Sequence, residues 1–160
     1  LRRALEAALA APNHRMTEPW RFVQVGPEMR RRLADIAVGL KANKGVLSEE
    51  ARERARAKVL EPPELLVLVQ VLASDSEVQR EDYAAMACAQ QNLALALWAE
   101  GVGSKWSTGG VTQASDTYSA LQIDPATQRI VGFFWAGYPA TEMPKARRRL
   151  GLSELLRTFA

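Results

Sequence analysis

Residues 65–72 read Leu-Leu-Val-Leu-Val-Gln-Val-Leu, a nearly continuous apolar run with valine at alternate positions. Such a run is typical of a strand that is covered on both faces. The longest predicted helix follows over residues 82–100 and ends at Gly101. A second buried strand is predicted over residues 129–135 (Arg-Ile-Val-Gly-Phe-Phe-Trp), just before Gly137-Tyr-Pro139. Strands that alternate with helices place the chain in the α/β or α+β class.

The flanking sequence adds further elements around this pair of strands. The predictions are a helix over 1–10, an irregular stretch over 11–19, a strand over Trp20–Val25, helices over 28–40, 48–61 and 115–121, and a tail over 140–160. Ser48 is the predicted cap of the charged third helix, which ends before Pro62-Pro63. The tail is too poor in apolar residues to fold by itself, so we expect it to pack on the body or on a partner subunit.

Size and composition exclude several classes of protein. A chain of 160 residues with 48% apolar residues is ordinary for one globular domain over residues 1–160. Its longest apolar stretches, Ala84–Ala89 and Leu93–Ala99, are far shorter than the roughly 20 residues that cross a bilayer. One cysteine, Cys88, excludes an internal disulfide and favours the cytoplasm, and one histidine, His14, excludes a His-rich metal site.

The positive charge of the chain is spread along it rather than gathered in one place. The net charge is +3, with an excess of basic groups before residue 65 and after residue 140 and an excess of acidic groups between them. Within residues 48–58, arginine and glutamate alternate at spacings that allow ion pairs on one helix face. A basic nucleic-acid-binding dimer is therefore a weak alternative, since the acidic middle of the chain opposes it.

The helix over residues 82–100 has apolar residues nearly all round, interrupted only by Gln90-Gln91-Asn92. A helix with this pattern is buried on all sides. In a domain of this size we expect a second copy of the chain to cover one side, so the sequence favours a dimer. Cys88 and Trp20 are predicted core residues, and the Gln-Gln-Asn triplet is expected either to bond across the dimer or to face water.

Common catalytic templates are missing from the sequence. There is no Gly-x-Ser-x-Gly elbow, no phosphate-binding Gly-x-x-x-x-Gly-Lys loop and no Gly-x-Gly-x-x-Gly after a strand. The carboxylate pairs Glu49-Glu50 and Glu81-Asp82 are expected at helix starts, where acids stabilise exposed N–H groups. Hydrolytic chemistry therefore has no support.

Three patches remain, and their order carries a resemblance. They are Ala11-Pro-Asn-His-Arg-Met-Thr-Glu-Pro-Trp-Arg-Phe22, Gly101-Val-Gly-Ser-Lys-Trp-Ser-Thr-Gly-Gly110 and Met143-Pro-Lys-Ala-Arg-Arg-Arg149. Together with the helix that bears Gln and Asn and the strand Ile-Val-Gly-x-x-x-x-Gly-Tyr-Pro, this set resembles the nitroreductase family of FMN-dependent oxidoreductases. The likeness extends from Leu1 to about Arg149.

The resemblance implies an α+β fold with a central, mainly antiparallel sheet flanked by helices, in an intertwined homodimer with two FMN sites. The first loop would approach the flavin from the opposite subunit, the second patch would run along the ring edge toward flavin N5, and the third would hold the phosphate. The cofactor-binding residues that it implies are His14, Glu18, Trp106, Ser107, Thr108, Gly109, Lys145 and Arg147.

The implied activity is reduction of nitroaromatic or quinone-type acceptors by NADH or NADPH in a ping-pong mechanism. No side chain is expected to be catalytic, because flavin N5 carries the redox step. A flavin-binding dimer without turnover is the alternative. The Arg-Arg-Ser segment that the family usually carries would lie upstream of Leu1, and Glu18 stands where the family usually has Gln. Whether residues 39–60 form a lid over the pocket is left open.

Overall fold

The computed structural model of the protein describes residues 1–43, 45–142 and 149–159. The elements in chain order are α1 (Arg2–Leu9), β1 (Trp20–Gln24), α2 (Pro27–Ala42), α3 (Glu49–Leu60), β2 (Glu64–Val71), α4 (Ser76–Ala99), β3 (Gly103–Ser107), α5 (Gly110–Gln113), α6 (Ser115–Leu121), β4 (Gln128–Gly137) and α7 (Leu152–Leu155).

The four strands form one antiparallel sheet in the order β1-β2-β4-β3. The sheet confirms the α+β class and the mainly antiparallel pairing. β2 and β4 lie at the centre, and their continuous apolar runs fit this position because helices cover both faces. A bulge interrupts their pairing, since Leu68 lies opposite Gly132 while Val69 lies opposite Ile130. Because β2 and β4 lie between them, the edge strands β1 and β3 are separated by the full width of the sheet.

Alternate residues of β2 face two separate cores. Leu66 and Leu68 pack with α1 and α4 on one face of the sheet. Leu65, Val67 and Val69 pack with α2 and α3 on the other face. Successive side chains of a strand point to opposite faces of the sheet, so a strand contributes to two cores only when both of its faces are apolar. The continuous apolar run of residues 65–72 predicts this arrangement.

The predicted strands at 20–25, 65–72 and 129–135 are present with small changes of boundary, but β3 was not predicted. Ser48 caps α3 as expected, because its hydroxyl accepts the Ala51 N–H at 3.2 Å. α4 begins six residues earlier than predicted, where the Asp75 carboxylate accepts the N–H groups of Glu77 and Val78. Glu81 and Asp82 therefore lie inside a helix and not at its start.

One face of α4 is exposed in the single chain, which agrees with the expectation that its own subunit does not cover every side of this helix. The exposed residues follow spacings of four and three, which place them on one face of the helix. This stripe consists of Ala84, Cys88, Gln91, Leu95 and Trp98. The prediction of Cys88 as a core residue is wrong for this chain, because that residue belongs to the exposed stripe. Trp20 is buried as predicted.

The opposite face of α4 is packed against the sheet and α1. Asn92 donates to the Ala7 carbonyl at 3.3 Å, so this amide bonds within the chain. Arg3 of α1 pairs with Glu100 just beyond the end of α4 at 2.9 Å. These contacts fix α1 along α4 and leave the exposed stripe clear of it.

The C-terminal segment 149–159 exposes most of its apolar side chains. Leu152, Leu155, Leu156 and Phe159 each have more than half of their surface accessible. Among the described residues, no helix is both long enough and apolar enough to cross a membrane.

Candidate functional site

A pocket of about 840 Å³ lies beside β3, on the face of the sheet that α2 and α3 cover. Its floor includes Phe133 and Trp135 of β4, whose rings meet edge to face with centroids 5.9 Å apart. Leu40 of α2 and Val59 of α3 add aliphatic surface. Pockets of this size with mainly apolar walls and a few polar groups are typical of cofactor and small-molecule sites.

Three lysines bring positive charge to this apolar pocket. Lys41 and Lys58 lie in the last turns of α2 and α3, and Lys105 lies on β3. Among the described carboxylates, none forms a salt bridge with any of the three. Glu61 is the acidic residue that lines the pocket with them. The pocket therefore suits a ligand with an aromatic or apolar body and negative charge.

The glycine turn (residues 107–110) forms the rim of the pocket at the end of β3. Ser107, Thr108 and Gly109, three of the predicted site residues, lie together here. Gly109 has φ 157° and ψ −170°, a conformation that glycine alone adopts readily. A Cβ atom at Gly109 would find no atom within 4 Å, so the backbone is open to a flat ligand.

Hydrogen bonds at the glycine turn decide which N–H groups can face a ligand. The Gly109 N–H donates to the Thr112 hydroxyl at 3.2 Å, and that hydroxyl donates to the Gly109 carbonyl at 2.8 Å. Within the described structure, the N–H groups of Thr108 and Gly110 donate to no backbone or side-chain acceptor. These two groups, rather than that of Gly109, are the available donors.

Trp106 lies on the other face of β3 from the pocket. Its indole packs with the α1 and α4 core and lies so close to Gly132 that a Cβ atom there would meet Nε1 at 2.2 Å. The indole N–H is buried and has no hydrogen-bond partner among the described residues. Trp106 and Ser107 thus face opposite sides of β3, as the alternation of side chains along a strand requires, while Thr108 lies just beyond the end of the strand and lines the pocket.

The first loop (residues 11–19) holds the other two described site residues, His14 and Glu18. His14 is exposed, and its Nδ1 lies 3.2 Å from Glu81 Oε2. The same carboxylate oxygen accepts from Arg15 Nε at 3.1 Å. The hydrogen bond from Arg15 holds the pKa of Glu81 below its usual range; burial opposes the shift, and His14 adds to it.

One chain does not bring the first loop and the glycine turn together. The first loop leads into β1 and the glycine turn follows β3, which are opposite edges of the sheet. Three strand spacings separate these edges, a distance of about 14 Å. His14 and Glu18 accordingly do not line the pocket. Within one chain, the first loop and the glycine turn therefore contribute to separate surfaces.

The segment between α3 and β2 is fixed by one arginine of α2. Arg30 donates to the carbonyl oxygens of Val59 and Leu60 at 2.9 Å, of Pro63 at 2.9 Å, and of Pro62. These carbonyls at a helix end have no partner within the helix. Arg30 thus holds the end of α3 and the two prolines where they line the pocket.

Sequence reasoning missed the three lysines that line the pocket. Lys145 and Arg147, the predicted phosphate ligands, lie outside the described residues. Lys58 occurs within a helix that alternates charges, so nothing in the local pattern distinguishes it from a solvated lysine. Only the tertiary structure, which places the end of α3 opposite β4 across the pocket, reveals that Lys58 lines it.

The chain is similar to known proteins over most of its length. A family model described as the nitroreductase family matches residues 1–138. YfhC of Bacillus subtilis (strain 168) is 30% identical over 147 residues, which cover 91% of this chain and 75% of the relative. YdjA of Escherichia coli (strain K12) is 26% identical over 144 residues, with coverage of 87% and 75%. Both relatives carry provisional names as NAD(P)H nitroreductases.

Solved structures show the same fold. A nitroreductase-like family protein from Bacillus cereus superposes with a TM-score of 0.80 at 27% identity, covering 98% of this chain and 82% of that one. A protein from Desulfovibrio desulfuricans, provisionally named a nitroreductase and solved in complex with FMN, has a TM-score of 0.72 at 26% identity. That match covers 97% of this chain and 80% of the other.

Proposed function

This chain belongs to the nitroreductase family, and we propose that it is an FMN-dependent oxidoreductase that uses NADH or NADPH to reduce nitroaromatic or quinone-type acceptors. The observation that carries the proposal is the pocket beside β3, which combines an aromatic floor, three lysines and an open glycine rim. The FMN-bound relative supports the choice of cofactor.

The residues of the pocket fit FMN in their chemistry. Phe133 and Trp135 offer apolar surface to a tricyclic ring, and the free N–H groups of Thr108 and Gly110 offer donors at the rim. Lys58 and Lys105 suit an anion, because an ammonium group donates to phosphate or to an electron-rich ring edge. We further propose that Lys145 and Arg147 add phosphate ligands, since arginine binds two phosphate oxygens at once.

A second copy completes the site in this proposal. The exposed stripe of α4 includes Leu95 and Trp98, each with 57% of its surface accessible, and contact with another copy would bury it. His14 and Glu18 would then reach the flavin held by the partner's glycine turn. The exposed apolar side chains of the segment 149–159 would also be buried if that segment packed on the partner.

The chemistry divides between the cofactor and the chain. When bound in this pocket, FMN would supply the two-electron redox chemistry between NAD(P)H and the acceptor, in the ping-pong order that we propose. The residues of this chain bind and orient: the rim N–H groups fix the ring edge, and the lysines favour negative charge in the pocket. No side-chain acid or base is needed for these tasks.

A flavin titration tests the proposal. We expect the purified chain to bind FMN with a yellow absorbance that NADH or NADPH bleaches without oxygen and a quinone restores. A chain that stays colourless with excess FMN would contradict the proposal. Binding without bleaching would instead support the flavin-binding dimer without turnover.

A matched pair of variants tests the pocket itself. Lys58→Met keeps the aliphatic stem and removes the charge, so FMN affinity should fall about tenfold, the effect of losing one charge-assisted hydrogen bond. Arg31→Met is the control, because this exposed arginine of α2 does not line the pocket. Equal affinities for the two variants would place the cofactor elsewhere.

Sedimentation tests the second copy. Leu95→Glu puts a charge in the centre of the exposed stripe, and we expect it to convert the dimer to a monomer with loss of bound FMN. Leu9→Glu, an exposed apolar residue of α1 outside the stripe, should leave the dimer intact. A wild-type monomer that binds FMN would refute the shared site.

A further inference from the structure

The first loop contains two residues in an unusual backbone conformation. Met16 has φ 51° and Glu18 has φ 47°, both in the left-handed region that favours glycine. Glu18 also precedes Pro19, which restricts the backbone of the residue before it. Two such residues within three positions persist only when their surroundings hold them in place.

A buried carboxylate of α4 supplies that hold. Asp82 is 2% exposed, and its Oδ1 accepts the Thr17 hydroxyl at 2.5 Å and Asn13 Nδ2 at 3.4 Å. Asn13 Nδ2 also donates to Thr17 Oγ1 at 3.1 Å. The Glu18 N–H donates to Asn13 Oδ1 at 2.8 Å. A continuous chain of hydrogen bonds thus runs from Asp82 to the backbone of Glu18.

The strained conformation does not serve the packing of the chain itself. His14, Met16 and Glu18 are all exposed, and Met16 has 79% of its surface accessible. The buried residues Pro19 and Trp20 begin only after the strained pair. Strain that buries no apolar surface is typical of a functional segment.

The anchor also lies on the helix that carries the exposed stripe. Asp82 precedes Ala84, the first residue of the stripe, by two positions. A rigid helix therefore connects the loop to the face on which a second copy is proposed to sit. The position of Glu18 relative to the partner is then set by α4 and not by a flexible loop.

We propose that Asp82 is a positioning residue that acts through Thr17 and Asn13 to present Glu18 and His14 to the flavin in the partner's pocket. The proposal rests on the proposed function, because it assigns a task to residues that face the cofactor only in an FMN-bound dimer. Asp82 itself need not touch FMN.

Two substitutions of Thr17, which lies between Asp82 and Asn13 in this series of hydrogen bonds, test the proposal. Thr17→Val preserves the shape of the side chain and removes the hydroxyl, so we expect FMN to bind about tenfold more weakly. Thr17→Ser keeps the hydroxyl and should bind FMN within twofold of the wild type. Sedimentation of both variants should show the same dimer, and Thr17→Val should melt at a lower temperature than Thr17→Ser because the buried Asp82 carboxylate loses a hydrogen bond.

A double-mutant cycle separates positioning from a purely structural effect. If Thr17 acts through Glu18, Thr17→Val should change FMN affinity in the wild type but have little further effect in the Glu18→Ala background. Fully additive effects would overturn the proposal, and so would equal affinities for Thr17→Val and Thr17→Ser. If Thr17→Val does not fold, Asn13→Ala breaks the same chain of bonds and replaces it in the cycle.

The two proposals fail in different ways. A wild-type protein that binds no FMN overturns the proposed function and the positioning role with it. A wild-type dimer that binds FMN and tolerates every change at Thr17 and Asn13 overturns the positioning role alone.

Discussion

The first loop and the glycine turn hold their backbones in place by different means. In the first loop, side chains impose a left-handed conformation on Met16 and Glu18 through bonds that lead to Asp82. In the glycine turn, Gly109 adopts its conformation without a Cβ atom, and sheet pairing of β3 with β4 fixes the approach. The first region depends on side-chain hydrogen bonds alone, whereas the second combines the hydrogen bonds of Thr112 with the packing and strand pairing of β3. Substitutions should therefore affect the two regions differently.

The largest effect is expected beneath the glycine turn. Gly132→Ala places a Cβ atom 2.2 Å from the Trp106 indole nitrogen and 3.0 Å from the Ser107 carbonyl. Relief requires Trp106 or β3 to move, so we expect the free energy of unfolding to fall by about 2–3 kcal/mol. Denaturant unfolding measures this change.

A glycine in open space provides the control. Gly39→Ala lies in α2 with no atom within 4 Å of the new Cβ, so it should raise the free energy of unfolding by about 0.5–1 kcal/mol. Equal effects at the two glycines would show that the Trp106 indole does not restrict Gly132.

A smaller effect is expected at the glycine turn itself. Thr112 is 5% exposed, and its hydroxyl accepts the Gly109 N–H and donates to the Gly109 carbonyl oxygen. Thr112→Val should lower the free energy of unfolding by about 1–2 kcal/mol, because the Gly109 backbone groups lose their hydrogen bonds to the hydroxyl and no water replaces it. It should also weaken FMN binding, since Gly109 loses its hold.

Thr112→Ser serves as the matched control because it keeps the hydroxyl. It should retain FMN affinity within a few-fold in a fluorescence titration. If Thr112→Val and Thr112→Ser bind FMN equally, packing alone maintains the glycine turn, and the contrast with the first loop becomes sharper.

The sequence predicts the centre of the sheet better than its edge. β2 and β4 have continuous apolar runs that identify them locally. β3 contains glycine, serine and lysine around Trp106, and only its pairing with β4 makes it a strand, so tertiary context overrides local propensity. The early start of α4 was missed because residues 76–81 contain a single apolar residue, Val78, and therefore show no helical period.

The candidate site divides in the same way. The order of the motifs predicts where Ser107, Thr108 and Gly109 lie, and the structure groups them at one pocket. The bond between Thr17 and Asp82 joins residues 65 positions apart, which no local pattern reveals. Cys88 was assigned to the core because an apolar pattern all round a helix does not show which of its faces the chain itself covers, and the structure places this residue on the exposed face of α4.

A modest effect of opposite sign is expected at the tip of the first loop. The left-handed conformation of Met16 costs free energy in the folded state, and Met16→Gly removes that cost. The greater conformational freedom of glycine in the unfolded chain offsets part of this stabilisation. We expect the free energy of unfolding to rise by about 0.5 kcal/mol. Gln122→Gly, at a left-handed position that ends α6, should give a similar increase.

Denaturant unfolding of the two glycine variants compares the two positions. A clear loss of stability for Met16→Gly alone would mean that the Met16 side chain contributes contacts, which in a dimer points to the partner surface. An increase at both positions supports a loop whose conformation is imposed by the bonds to α4.

The smallest effect concerns the acid side of the stability profile. The hydrogen bond from Arg15 lowers the pKa of Glu81 from its ordinary value of 4.5, with burial opposing and His14 assisting. A carboxylate with a lowered pKa in the folded state stabilises the fold above its unfolded pKa, and this contribution is lost as pH falls through the folded pKa.

Glu81→Gln should therefore reduce the loss of stability on acidification below about pH 4.5, as measured by thermal unfolding across that range. The loss should not disappear, because the N–H groups of Val78 and Glu77 lower the pKa of Asp75 as well. An unchanged slope in Glu81→Gln would mean that the ion pairs of the first loop are too exposed to stabilise it, leaving Asp82 as its main anchor to α4.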